Sequence, residues 1–169
     1  MLDQFSNRLF LIEKNNEIKN NYDDILEQVL GFRPEWAIDQ NEQSQYFLKF
    51  ISGKHSHSSN GIGEGIVSIF VIVDALYDSK PGDVIIIDEP ELSLHPSLQK
   101  RLSKLFIEYS KDRQIIISTH STYFIDIDAL SNGAALVRVT SGGEGTKIYQ
   151  LSDSSKNLIS NLAKGNLYN

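Results

Sequence analysis

The chain has 169 residues, enough for one domain or a large part of one, and its 40% apolar and 22% charged content excludes global disorder. A formal net charge of −6 and an isoelectric point of about 5.2 argue against a domain that coats nucleic acid by charge alone, although local basic patches stay open. With no cysteine there is neither a disulfide nor a thiolate zinc site. No apolar run is long enough to span a bilayer, and MLDQFSNRLFLIEKNN has an early acid and too short an apolar centre for a signal peptide, so a soluble cytoplasmic location is expected.

Residues 8–12, RLFLI, suit a short strand or a helix turn, and the asparagine-rich stretch 15–21 reads as a loop. Residues 22–30 place Ile25, Leu26, Val29 and Leu30 at helical spacing, with Gly31 as the stop. Residues 36–38 and 46–51 read as two strands joined by the polar DQNEQSQ. Residues 53–65, GKHSHSSNGIGEG, read as a glycine- and serine-rich loop, and 66–77 as a buried helix. Lys80-Pro81-Gly82 makes a turn into VIIID, a short apolar run of the kind covered on both faces of a parallel sheet. Pro96 opens a helix that aligns Leu98, Leu102, Leu105, Phe106 and Tyr109. A turn at Asp112-Arg113 leads to QIIIS, a second buried strand, so strand, helix and strand form a βαβ unit. Residues 119–130 suit a loop and short helix, 134–139 and 146–151 a hairpin around SGGEG, and 152–162 a last helix. Phe47, Phe50, Phe70 and Phe106 are most simply core, and Lys100, Arg101 and Lys104 a solvated basic face.

The chemistry concentrates where the two parallel strands end. Asp88 and Glu89 are adjacent acids at the C-terminal end of a strand, the edge where open α/β sheets bind ligands. Paired carboxylates repel and are costly to desolvate unless a cation or polar ligand shares the site. A carboxylate there can hold Mg²⁺ beside nucleotide phosphates, and its neighbour can polarise an attacking water. The second strand runs into Thr119-His120-Ser121 at the same edge, so His120 is expected near Glu89 despite their separation in sequence. His55 and His57 lack a third ligand in view and read as loop residues rather than a metal site.

DEPELSLHP followed by STHS resembles the Walker B, D-loop and switch-histidine segments of ABC-type ATPases. The closer likeness is to the branch holding structural-maintenance-of-chromosomes (SMC), RecF-like and OLD-family (overcoming lysogenisation defect) proteins, among the AAA-family ATPases. It covers residues 55–125 well and the flanks loosely. The resemblance implies an α/β fold with a mainly parallel sheet flanked by helices, the C-terminal part of a P-loop NTPase domain. It implies Asp88 as the Mg²⁺-supporting aspartate, Glu89 as the catalytic base and His120 as the switch histidine. It places Ser93, Leu94 and His95 in the D-loop at a dimer interface; His95 stands where transporter-type members have Asp, which argues against a transport subunit. The signature element, which binds the γ-phosphate of ATP held by the opposite subunit, aligns in placement with SSNGIGEGIVSIF: Gly63-Glu64 match the family's Gly-Gln or Gly-Glu, while Gly61 departs from the pattern by standing where serine is usual, with Ser58 and Ser59 slightly upstream.

A phosphate loop is missing from the picture. GxxxxGK[ST] does not occur in the 169 residues, and the one Gly-Lys pair, Gly53-Lys54, is followed by His55. The resemblance therefore implies a single partial ATPase domain. Residues 1–54 would end an arm or insertion region, 55–130 carry signature, Walker B, D-loop and switch, and 131–169 add a hairpin and helix. ATP and Mg²⁺ are its implied cofactors and a P-loop-bearing N-terminal half or partner chain its implied partner. Dimerisation is expected through signature and D-loop, with DNA repair or defence against foreign DNA as the setting and DNA a possible further partner of the assembly. GNLYN resembles the lead into the nuclease domain of OLD-family proteins. The chain alone is expected to hydrolyse ATP poorly. The rival is a non-enzymatic assembly module that keeps the fold; a nuclease using Asp88 and Glu89 directly lacks a further acidic cluster.

Overall fold

The computed structural model describes residues 2–40, 46–52, 55–58, 64–143, 145–152 and 155. The elements are α1 (Leu2–Glu13), α2 (Asn16–Leu30), β1 (Glu35–Gln40), β2 (Tyr46–Ser52), β3 (His55–Ser58), α3 (Glu64–Asp78), β4 (Val84–Asp88), α4 (Pro96–Tyr109) and β5 (Gln114–Ser118). A 3-10 turn (Thr122–Phe124), α5 (Ile127–Ser131), β6 (Val137–Gly142) and β7 (Gly145–Gln150) follow. Residues 1–120 and 121–169 form two separate units.

Two expectations near the N-terminus give way to helices. Residues 8–12 belong to α1, because Ser6, Leu9 and Ile12 recur every third residue and are all buried. The loop expected over 15–21 is the start of α2. Asn15 caps it, its Oδ1 accepting from the Glu17 and Ile18 N–H groups at 3.1 and 3.2 Å, and the polar residues that follow face water. Lys19 pairs with Asp23 one turn on, at 2.7 Å. Gly31 ends the helix as expected: its φ of 82° is left-handed, and its N–H bonds Glu27 O at 2.8 Å.

Behind α2 lies an aromatic core. Trp36 and Phe70 meet edge to face with centroids 5.6 Å apart, and Tyr22 lies 5.8 Å from Trp36. Each polar tip is satisfied: Tyr22 Oη donates to Phe70 O at 2.9 Å and Trp36 Nε1 to Asp23 Oδ1 at 2.6 Å. The cluster joins α2, β1 and the expected buried helix α3, whose Ile69, Phe70, Val73 and Leu76 are buried. Of the four phenylalanines expected in the core, Phe50, Phe70 and Phe106 are buried and Phe47 is half-buried.

β1 and β2 pair antiparallel as expected, Trp36 opposite Phe50 and Ile38 opposite Leu48. Their connection at 41–45 lies outside the described residues. Part of the loop expected over 53–65 is instead β3, which pairs with the other edge of β2, His57 opposite Phe50. A free strand edge recruits backbone N–H and C=O groups whatever the side chains are, which hydrophobic patterning does not register. This ladder places His55 and His57 on a strand rather than in a loop.

β4 and β5 pair in parallel, Val84 opposite Gln114 through Asp88 opposite Ser118, with α4 crossing between them. Among the described residues the expected cover forms on one face and not on both. Val84, Ile86, Asp88, Gln114, Ile116 and Ser118 share one exposed face, while Ile85, Ile87, Ile115 and Ile117 are half-buried on the other. Ile86 is 73% exposed and Val84 56%. A β-branched run built for two covered faces here meets cover on only one.

In residues 121–169 the hairpin is present, but its first strand starts at Val137 rather than Ala134. The Ala134 N–H bonds Ala129 O at 3.0 Å, so the segment closes the end of α5 before it can pair. The last helix expected over 152–162, Ser152 and Ser155 apart, and the 165–169 tail lie outside the described residues. Among the described residues no helix is long and apolar enough to cross a membrane.

Candidate functional site

Glu89 leaves β4 with φ 47°, one of two non-glycine residues in left-handed conformation among the described residues; Ser93, with φ 58°, is the other. Such conformations cost about 1–3 kcal/mol each and cluster at functional sites. The Glu89 N–H donates to Ser118 O at 2.8 Å, extending the ladder one residue past the strands. This turns the Glu89 side chain off the sheet toward the loop that follows β5. His120 Nε2 lies 3.9 Å from Glu89 Oε1, so the two groups that the parallel topology was expected to gather do face each other. The imidazole is 92% exposed and the carboxylate 41%, so both are open to a ligand. Asp88 is exposed at the end of the open sheet face.

Residues 89–94 form a tight turn. Leu92 N–H bonds Glu89 O at 3.2 Å and Leu94 N–H bonds Glu91 O at 2.9 Å. Gln99 Nε2, from α4, donates to Leu94 O at 2.8 Å. Ser93 stands against the start of α3: a Cβ on Gly65 would lie 2.3 Å from Ser93 O, so only glycine allows this approach. Glu64 Oε2 lies 3.5 Å from Ser93 Oγ. The start of α3 thus touches the turn after β4, and Glu64 and Ser93, expected in two separate motifs, are neighbours. Gly61 and Gly63 lie outside the described residues.

His95 has a local role here. Its Nδ1 accepts from the Ser97 N–H at 3.3 Å and lies 2.9 Å from Ser97 Oγ, capping α4 just ahead of Pro96. Arg101 is exposed, as expected for a solvated basic face, and also donates through Nη1 to Leu30 O at 2.8 Å, closing the negative end of α2. Lys100 and Lys104 are exposed.

Two residues that sequence reading passed over bind the site together. Glu91 accepts from the Thr119 hydroxyl at 2.7 Å and from the His120 N–H at 2.6 Å. Their signal lies in the topology: loops leaving the same edge of a parallel pair run side by side, so a third acid in DEPEL is within reach of STHS.

Among the described residues no three His, Asp or Glu side chains converge to hold a metal alone. Asp88 and Glu89 nevertheless fit Mg²⁺, a hard cation that keeps several waters and binds through one or two carboxylates plus substrate phosphates. The arrangement is an acid pair and an imidazole open to solvent at the C-terminal edge of a parallel βαβ unit.

The fold is that of an SMC-type ATPase head. The chain superposes with a TM-score of 0.63 and 17% identity, over 91% of its length and 95% of the other's, on a chain from the structural biochemistry of ATP-driven dimerization and DNA-stimulated activation of SMC ATPases. It matches the Pyrococcus furiosus Smc head domain with an extended coiled coil, bound to the C-terminal domain of ScpA, with a TM-score of 0.61 and 18% identity over 85% of this chain and 37% of that one. Over residues 2–126 the sequence matches the family described as "AAA domain, putative AbiEii toxin, Type IV TA system", and the chain belongs to that family. It is also 37% identical over 76 residues to the uncharacterized protein MJ1542 of Methanocaldococcus jannaschii, a stretch that covers 43% of this chain and 9% of that protein.

Proposed function

We propose that this chain supplies half of an ATPase active site and that the phosphate loop comes from a segment outside these 169 residues, in the same polypeptide or another. The observation that carries this reading is the meeting of Glu89, in a strained backbone conformation, with His120 at 3.9 Å on the C-terminal edge of the β4–β5 pair. The open face of that pair supports it: exposed Val84, Ile86 and Ile116 lead straight to Asp88, so whatever covers the aliphatic face also approaches the acid. The 169 residues act as one partial ATPase domain with the boundaries at 54 and 130 given above.

In this reading Asp88 holds Mg²⁺, which when bound neutralises phosphate charge. Glu89 accepts a proton from the attacking water, and its turned backbone aims the carboxylate across the end of β5 rather than along the sheet. His120 donates a hydrogen bond to the terminal phosphate. Glu64 and Ser93 face a second subunit, and Gly61 and Gly63 belong to the same signature element by sequence. The ATP-driven dimerization named for the SMC relative supports this, as does the contact of Gly65 with Ser93. His95 orients the turn from beneath by capping α4. The family's link to a type IV toxin–antitoxin system supports a role in defence against foreign DNA, with an OLD-type nuclease or a DNA-repair ATPase as the parent assembly and the cytoplasm as its place. A non-enzymatic assembly module would also use the open face, but it gives no reason for the strain at Glu89.

The test is calorimetric titration with Mg²⁺ and a non-hydrolysable ATP analogue, on the chain alone and mixed with a separately produced P-loop-bearing half. Binding and turnover only in the mixture are expected, with Glu89→Gln lowering kcat by about 100-fold or more. Tight binding by the chain alone refutes the shared site, and a stable mixture without nucleotide affinity favours the assembly module.

A further inference from the structure

We propose that Glu91 is the positioning residue that fixes where His120 stands relative to Glu89. The inference rests on the ATPase reading for its catalytic consequence and on geometry alone for the clamp itself. The His120 ring has little to hold it: it is 92% exposed, and its 3.9 Å separation from Glu89 is too long for a hydrogen bond. The position of the ring is therefore set by the backbone that carries it. β5 ends at Ser118, and past Ser118 O, which accepts the Glu89 N–H, the ladder stops. From there the Glu91 carboxylate takes over, one oxygen accepting the His120 N–H at 2.6 Å and the other the Thr119 hydroxyl at 2.7 Å. Bonds to an ionised acceptor are about twice as strong as neutral ones, and two on adjacent residues fix a direction as well as a distance.

The clamp is anchored on its own side. The turn 89–94 is closed by the Leu92 and Leu94 N–H groups, tied to α4 by Gln99, and contains the buried Pro90. Glu89 and Glu91 stand two residues apart in this turn, so one rigid piece carries both the carboxylate that faces water and the carboxylate that holds the histidine. The relative placement of Glu89 and His120 then follows from three short contacts rather than from their own weak attraction.

Glutamine can keep this geometry without the charge. Its amide oxygen accepts the His120 N–H, and its NH₂ donates to Thr119 Oγ1, whose hydroxyl rotates to accept. Alanine removes both bonds, and Thr119→Val removes one. The first measurement is residue-resolved amide hydrogen exchange on the chain by NMR. In Glu91→Ala the His120 amide is expected to exchange roughly tenfold faster or more, while the β4 and β5 amides keep wild-type rates. In Glu91→Gln it stays within about threefold of wild type. An unchanged His120 amide in Glu91→Ala overturns the clamp. Equal acceleration throughout the sheet overturns it too, because Glu91 would then hold the fold. Should Glu91→Ala not fold, Thr119→Val decides: faster exchange at 119–120 alone supports the clamp, and no change there refutes it.

The second measurement uses the mixture with the P-loop half. Glu91→Ala is expected to lower kcat by about 10- to 100-fold with KM for ATP nearly unchanged, and Glu91→Gln to restore most of the rate. Wild-type kcat in Glu91→Ala overturns the positioning role. A wild-type mixture that hydrolyses no ATP overturns the ATPase reading and leaves the clamp to be judged by exchange.

Discussion

The aromatic core and the β4–β5 sheet use apolar residues to opposite ends. Tyr22 and Phe70 are fully buried, and each polar atom among them has a partner. Past the turn that follows α3, Ile86 is 73% exposed on a strand of β-branched aliphatics that ends in Asp88. Equal hydrophobicity in the sequence therefore does not mean equal burial. The first region is complete within the chain; the second shows one finished face and one open face, with Asp88 at the end of the open one. The contrast separates what stabilises the fold from what is left to receive a partner.

The sharpest way to break this contrast is to truncate a residue on each side of it. Phe70→Ala is expected to cost about 3–5 kcal/mol in urea unfolding, because it opens a cavity where Trp36, Tyr22 and Phe50 meet. A loss below about 1 kcal/mol would show that the cluster is not the core. Gly65→Ala comes next. Its new Cβ would press on Ser93 O at 2.3 Å, backbone that cannot turn aside, so a loss of about 1–3 kcal/mol is expected. Amide shifts confined to 64–65 and 92–95 would accompany it, and wild-type shifts at Ser93 would disprove the contact.

Ile86→Ala should change the stability of the chain alone by no more than about 0.5 kcal/mol, given its exposure. The same substitution should weaken association with the P-loop half measurably, and unchanged association would show that this face does not dock it. The smallest effect concerns Asp74 on α3. Burial pushes its carboxyl above the ordinary range, against the pull of Arg8 at 2.6 Å. A folded value above the unfolded one means that the fold favours the protonated form. The stability contribution is then greatest below the unfolded value and declines as pH rises through the folded one. Asp74→Asn should therefore gain on wild type as pH rises from about 4 toward 7 in parallel urea titrations, and a constant difference would refute this.

The elements with strong periodicity were legible in the sequence. α3, α4, β4 and β5 lie where apolar spacing put them, and the acid pair and His120 fell on the same sheet edge because parallel strands share their C-terminal ends. The elements that patterning missed are those made by polar or backbone groups. The start of α2 depends on one asparagine cap, β3 on the free edge of β2, and the end of α5 on a carbonyl that captures Ala134. In the site, Asp88, Glu89 and His120 announced themselves as chemistry. Glu91 did not, since its importance is a distance to a loop twenty-eight residues away.

By itself, then, the sequence determined α3, α4, the βαβ unit and the placing of Asp88, Glu89 and His120 at one edge of it. Those follow from local spacing and from the types of side chain present. Only the tertiary structure decided that Glu89 takes a left-handed turn, that Gly65 must be glycine beneath Ser93, and that one face of the isoleucine sheet stands open. Each of these is a relation between segments distant in sequence or a backbone angle set by them, and burial and close approach have no value until those segments have met.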